Sequence, residues 1–507
     1  MDITTSLPMM LQLPSYPVIL ASLFFLFMLV KNWKKSSKLP PGPSRLPLIG
    51  NLHHLRGPSP PHHTLRDLAL KHGPIMHLKL GEVSSIVISS AKAAEDVLKT
   101  HELSFAQRPR VLAVDIAGYG DKGVIFSPYG DYWRQVKKVC ILELLSAKRV
   151  RSFRSVREDE VWKLCETISS SPRGRPINLS EKLFALTNSM TARAAFGNKC
   201  DDAVEFLSIV DEGGRLAGGF DLPEIFPSLS FLPLMNRMKP ALEKLHQRMD
   251  NILDKIINEH KAKRKSGDES GDEDFVDVLL RLYESNELQI PLTPTNVKAI
   301  ILDIFSGATE STAISIEWAM SEMLKNPRVL SKAQAEVRET FKGKERITEE
   351  DIQQLDYLKL VIKETLRVHP PVPLSARESR EVCEINGFEI PNKAKVIFNR
   401  WAINRDPKTW ADPDSFNPER FLGSSFDYKG TNNFEYNPFG VGSRKCPGIS
   451  FGIAVLDLPV ALMLYHFDWA LPDGIKGEDL DMTESFGVSV KKKNALNVIA
   501  TPVSTFA

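Results

Sequence analysis

One cysteine sits in a loop built for chemistry. The segment Asn437-Pro-Phe-Gly-Val-Gly-Ser-Arg-Lys-Cys-Pro-Gly448 sets Cys446 directly before an uncharged apolar run, residues 447–456, that reads as a buried helix. Unpaired amide N–H groups at a helix start, with Arg444 and Lys445 alongside, favour a thiolate, so a depressed pKa is predicted for Cys446. A thiolate of this kind serves as metal ligand or nucleophile. Gly440, Gly442 and Gly448 would let backbone approach a large planar ligand. A lone cysteine in a glycine loop reads by default as an inert core thiol, and the ordered spacing Phe-x-x-Gly-x-Arg-x-Cys-x-Gly is what departs from that default. A second group is Glu310, Ser311 and Thr312, within a stretch (304–316) whose single charge is Glu310. That acid is predicted near the interior, either as a functional group or as a salt-bridged core acid beside Gly307 and Ala308. A third is Glu364 with Arg367, at i and i+3, which alone would be an ordinary helix-surface pair.

The elements that must position these groups follow from pattern. Thr293 as cap, Pro294 at the first helical position and Asn326-Pro327 as terminator predict a helix over 294–326, about 50 Å long at about 1.5 Å per residue. Residues 74–80 and 84–90 read as a hairpin around Gly81, and residues 383–390 as another with Asn386-Gly387 as its turn. Most of the remainder has helical period, so the class is mainly α with small β-sheets. The charged, low-complexity stretch 261–274 is predicted to be a solvated loop. At about 150 residues per domain the 507 residues would make about three, but no second linker divides the chain, and one core over 48–507 is the simpler reading.

Charge nearly cancels, 65 basic against 63 acidic residues, so nothing global argues for nucleic acid. Cys140, Cys165, Cys200, Cys383 and Cys446 are odd in number and lack CxxC spacing, which argues against a disulfide framework or structural zinc and fits a reducing compartment. Residues 3–30 carry no charge, Asp2 precedes them, and Lys31, Lys34, Lys35 and Lys38 follow. A helix over 17–33, about 25 Å long, would just span a thin bilayer. The charge asymmetry favours a retained single-pass anchor (1–33) with the rest cytosolic, over a cleaved signal peptide. Residues 34–47 form a proline-rich hinge that favours stiff extended backbone.

The cysteine loop, Lys363-Glu-Thr-Leu-Arg367, Phe416-Asn-Pro-Glu-Arg-Phe421, Tyr132-Trp-Arg134 and the hinge stand in the order and spacing of the cytochrome P450 family, and the chain closely resembles its plant microsomal members. The resemblance covers nearly everything after the anchor. It implies the P450 fold and haem b, with Cys446 as the axial thiolate on iron and Phe439, Gly440 and Gly448 shaping its loop. It makes Glu364, Arg367 and Arg420 a buried structural network. Glu310 and Ser311 become the acid and alcohol that deliver protons to dioxygen, with Thr312 next in line. Ser311 stands where Thr is usual, and the family's helix-opening glycine falls on Ala308, with Gly307 just before it. Trp133, Lys137, Arg377 and Arg444 are expected on the haem propionates, and Lys137 stands where Arg is usual, without the two-pronged contact. The segment 369–378 is one residue shorter than in relatives, and Arg377 is still expected to reach the haem. The substrate pocket is expected from residues 111–126, Phe305, Ala308, Val372, Ser375 and Phe486, nearly all apolar or small, as suits a lipophilic substrate held by shape.

The implied activity is a monooxygenase that uses O2 and NADPH-derived electrons to hydroxylate or epoxidise a lipophilic plant metabolite. Residues 218–228 and Phe434-Glu-Tyr436 resemble plant terpene hydroxylases of sesquiterpene and limonene type, which implies a sesqui- or diterpenoid; indole-alkaloid oxygenases of the same group share much of this. No GxGxxG fingerprint opens a helix after a strand. Electrons are therefore expected from NADPH–cytochrome P450 reductase, with cytochrome b5 as a further partner, at the endoplasmic reticulum membrane. Lys137, Lys138, Arg444 and Lys445 would form the docking patch. A reductase-independent haem-thiolate isomerase or dehydratase is the rival reading, against which the Glu310-Ser311 pair argues, and a catalytically silent haem protein is the third.

Overall fold

Alternating β-branched and apolar residues bounded by turn formers give the strands expected of them. The computed structural model describes Ser22 and residues 38–197, 202–217, 222–231, 238–266, 273–428 and 433–503. Strands β1 (Ile75–Leu80) and β2 (Val83–Ile88) pair antiparallel across Gly81-Glu82. Strand β3 (Leu374–Glu378) follows, then the hairpin of β4 (Cys383–Ile385) and β5 (Phe388–Ile390), then β6 (Lys395–Asn399). Asn386 and Gly387, at φ 49° and 79°, make the left-handed two-residue turn that Asn-Gly favours. The main sheet runs β1-β2-β6-β3, with β2 and β6 parallel and the other pairs antiparallel. Strand β3 pairs with β6 along its whole length, Leu374 to Asn399 and Arg377 to Val396.

The helices that bear on the site are α1 (Asp131–Val139), α2 (Leu179–Phe196), α3 (Lys239–Lys265), α4 (Pro294–Lys325), α5 (Asp356–Val368) and α6 (Ile449–His466). Helix α4 opens with a capping box: the Asn296 N–H donates to Thr293 Oγ1 (3.2 Å) and the Thr293 N–H to Asn296 Oδ1 (2.8 Å). It crosses the core for 32 residues, packed chiefly on α2 and α6, and residues 312–324 are buried without a break. Helices α4 and α6 are long and apolar enough to span a membrane, but their burial identifies them as core helices.

One expectation is corrected here. Residues 261–265 continue α3 instead of forming a loop. Lys, Ala and Arg are good helix formers, and cations suit a helix C-terminus.

The expected anchor, Ser22 apart, and hinge residues 34–37 lie outside the described residues. From Lys38 the hinge is laid on the globule: the Glu389 N–H donates to the Lys38 carbonyl (2.8 Å) and the His77 N–H to the Pro41 carbonyl (2.9 Å). A Cβ on Gly42 would meet the His77 carbonyl oxygen at 2.0 Å, so only glycine lies flat against β1 there.

Candidate active site

The cysteine loop folds back on itself. Gly440 and Gly442 take φ of 76° and 72°, and the Cys446 N–H returns to the Phe439 carbonyl (3.0 Å). Gly448 then caps α6, and its N–H donates to Cys446 Sγ at 3.3 Å. Cys446 is exposed by surface area, yet burial pushes its thiol pKa up, so its free surface faces an interior space and not bulk water. This corrects the expected depressed pKa. The Gly448 N–H, Arg400, Lys137 and Lys445 all act to lower it, but desolvation of the thiolate outweighs them.

Cations crowd around this loop, Arg377 and Arg444 buried and Lys137, Arg108 and Arg400 half-buried. Arg444 donates to the carbonyls of Ala106 (3.0 Å) and Ser127 (2.6 Å) and lies 4.1 Å over the Trp133 ring. Trp133 gives its own indole N–H to the Val124 carbonyl at 3.0 Å, so its expected propionate contact is not through that group. Lys137 donates to the Ser443 carbonyl and sits 5.1 Å from the same ring. Arg377 is buried and makes no side-chain hydrogen bond among the described residues. Two further arginines escaped sequence reasoning. Arg108 donates to the carbonyls of Ala376 (2.6 Å) and Ile125 (3.2 Å), and Arg400 lies against Gly440. The available signal was Arg400 as the lone charge within the apolar run 396–403.

Burial, then mutual repulsion among the cations, lowers Lys137 to about 8, Arg444 to about 9 and Arg108 to about 10. Burial alone lowers Arg400 to about 10, and both causes hold Arg377 well below its ordinary value. The acids that face them are Glu102, toward Lys137 and Arg377, and Asp303, toward Arg108. So many desolvated cations with so little negative charge suit a flat group bearing two carboxylates, and an inward-facing Sγ suits its metal. The residues fit haem.

On α4, a Cβ built on Gly307 meets nothing within 4 Å, so this face borders open space. Ser311, one turn on, donates to the Gly307 carbonyl (2.7 Å), and Thr312 to that of Ala308 (2.8 Å). Glu310 is half-buried and forms no ion pair among the described residues, which sets aside the salt-bridged alternative. Phe305 is a correction: it is fully buried, stacked on Phe196 (5.5 Å) and edge-on to Phe206 (4.9 Å), so it packs the core and lines no pocket. Ala308 and Val372 are half-buried, and Ser375 shares a small cavity with Arg377 and Arg400. Phe486 stacks on His62 at 5.9 Å. Asp303, also missed, accepts the Ile125 N–H at 2.9 Å and so ties α4 to the loop before α1.

Glu364 gathers two arginines and a backbone amide. Glu364 takes Nε and Nη2 of Arg367 (2.7 and 2.8 Å), Nε of Arg420 (2.9 Å) and the Asn417 N–H (2.9 Å). Arg367 also donates to the carbonyls of Asn404, Pro413 and Ser415.

With this geometry in place, comparison is informative. The family model described as cytochrome P450 matches residues 40–497. The chain is 55% identical to desmethyl-deoxy-podophyllotoxin synthase of Sinopodophyllum hexandrum, over 96% of this chain and 97% of the relative. It is 54% identical to a melianol synthase of Citrus sinensis (99% of each) and 53% to premnaspirodiene oxygenase of Hyoscyamus muticus (95% and 96%). A zebra fish cytochrome P450 structure with abiraterone shares the fold at TM-score 0.73 and 24% identity, over 88% of this chain and 100% of that one.

Proposed function

The chain belongs to the cytochrome P450 family, and from that premise we propose that it is a reductase-fed, membrane-anchored monooxygenase that hydroxylates or epoxidises a terpenoid. That it is an oxygenase carrying haem follows from the family itself. The terpenoid assignment draws on the melianol synthase and premnaspirodiene oxygenase among its relatives. The observation that carries the site reading is Cys446 Sγ, held by the Gly448 N–H and facing inward among desolvated cations.

When bound, haem supplies an iron centre that activates dioxygen, with electron density pushed onto it from the thiolate. The chain does the rest. The Gly448 N–H orients Sγ and tempers its charge. Arg108, Arg377, Arg444 and Lys137 would hold the haem carboxylates, with Lys137 as a point contact. Gly307 and Ser311, at i and i+4, place the open space and the hydroxyl on one stripe of α4. The Ser311 hydroxyl, parked on the Gly307 carbonyl, can rotate to pass on a proton, and the unpaired Glu310 can supply one from solvent. The half-buried apolar residues nearby keep bulk water out and hold an apolar skeleton by shape.

The test is reconstitution of the full-length protein with NADPH–cytochrome P450 reductase in lipid, a panel of terpenoid, alkaloid and lignan scaffolds, and 18O-labelled dioxygen. A terpenoid product carrying one labelled oxygen, absent with Cys446→Ala, is expected. Product without label would refute monooxygenation, and turnover confined to another scaffold class would refute the terpenoid assignment.

A further inference from the structure

The small cavity between the sheet and the cysteine loop is lined by two arginines and no acid. Its walls are Ala94, Leu98, Phe398, Ile403 and Val441, and its polar groups are Ser375, Asn437, Arg377 and Arg400. None is acidic. Arg400 follows the last residue of β6, its N–H donates to the Pro373 carbonyl (2.8 Å), and Asn399 caps the short turn that begins there by accepting the Ala402 N–H (3.1 Å). The backbone is thus fixed, and the guanidinium points at the loop: Nη2 lies 2.9 Å from where a Cβ on Gly440 would stand. Gly440 is next to Phe439, whose carbonyl receives the Cys446 N–H at 3.0 Å. The side chain makes no hydrogen bond among the described residues, and the charge of the Cys446 thiolate favours its protonated form.

A desolvated, unpaired guanidinium is costly, and it persists where a negative charge compensates it. We propose that Arg400 is a positioning residue for the haem iron's thiolate: its cation braces the turn that presents Cys446, balances the charge on Sγ and raises the reduction potential of the bound haem. The inference rests on the haem-thiolate reading of this site. With haem held on Cys446, reduction of its iron would add negative charge to the centre whose thiolate Arg400 acts on, so a fixed positive charge there would favour the reduced state.

The experiment is spectroelectrochemical titration of purified full-length holoenzyme, wild type against Arg400→Met and Arg400→Lys. The Met variant is expected to lower the ferrous-to-ferric equilibrium constant about tenfold, about 59 mV for one electron, while the Lys variant stays near wild type. Both should load haem and keep the red-shifted carbon monoxide band. An unchanged potential in the Met variant would overturn the proposal, as would a Lys variant that follows Met. Loss of haem from Met but not Lys would also overturn it, since the cation would then anchor the porphyrin carboxylates. If the Met variant does not accumulate, Arg400→Gln is titrated in its place with the same two outcomes. No substrate or reductase is used, so failure of the terpenoid assignment cannot be mistaken for failure here.

Discussion

Asp303 shows how one side chain can carry a function that its sequence context hides. It sits on α4 among apolar neighbours, and it clamps the loop at Ile125 by accepting that N–H at 2.9 Å. The same loop offers the Val124 carbonyl to Trp133, so Asp303 supports the wall on which Arg444 rests. Burial raises its carboxyl from 3.8 to about 6, against the Ile125 and Val124 N–H groups and Arg108, which favour the anion. Tyr132 and Cys140 are the other titratable groups that feel it. Between 3.8 and about 6 the unfolded chain has released this proton and the folded chain has not, so ionisation opposes folding and stability falls as pH rises through that window. Asp303→Asn removes this dependence. Its stability relative to wild type should therefore climb by roughly 1–3 kcal/mol from the bottom of the window to the top, read as urea midpoints at several pH values. A difference constant across the window would refute the assignment. Cys446 was legible because its motif is local and ordered. The direction of its pKa shift was not, because desolvation comes from distant segments. Arg108, Arg400 and Asp303 were missed for the same reason.

At the scale of elements, legibility depended on whether the signal was local. The cap of α4 and the Asn386-Gly387 turn are local, and both formed where the sequence placed them. The face of α4 that opens is not local. That helix is buried nearly all round, so no polar stripe marks the cavity side, and the Phe196 and Phe206 contacts from other helices decide that Phe305 belongs to the core. The Glu364 network is intermediate: its motifs are local, but its value arises only when α5 meets the 411–420 segment. Glu364 and Arg367 are both fully buried, so removing one strands the other. Arg367→Ala would leave Glu364 with only Arg420 and the Asn417 N–H, and free the carbonyls of Asn404 and Pro413 from the Arg367 guanidinium. A loss of about 3–5 kcal/mol is expected, with little holoenzyme accumulating. Denaturant unfolding checks it, and a loss below about 1 kcal/mol, typical of an exposed pair, would show that the network is not the keystone described.

For the whole molecule, near-neutral charge concealed an uneven distribution, with desolvated cations gathered around the cysteine loop and lysines gathered after the apolar N-terminal run. Length alone suggests about three domains, whereas a single family model matches residues 40–497. Where the hinge meets that core decides what the N-terminal segment does for stability. Among the described residues the hinge meets the globule at Lys38, through Glu389, and at Pro41, through His77. Deletion of 1–33 should therefore leave haem loading and the thermal midpoint within error of the full chain, while much of the protein moves from the membrane pellet to the soluble fraction. Deletion of 1–47 strips the hinge from β1 and should lower the midpoint as well. Sedimentation with a carbon monoxide spectrum on each fraction checks both truncations. Full membrane retention of the shorter one would show a second attachment surface. A fall in the midpoint on deleting 1–33 alone would show that the core depends on residues before Lys38, contrary to the docking seen at the hinge.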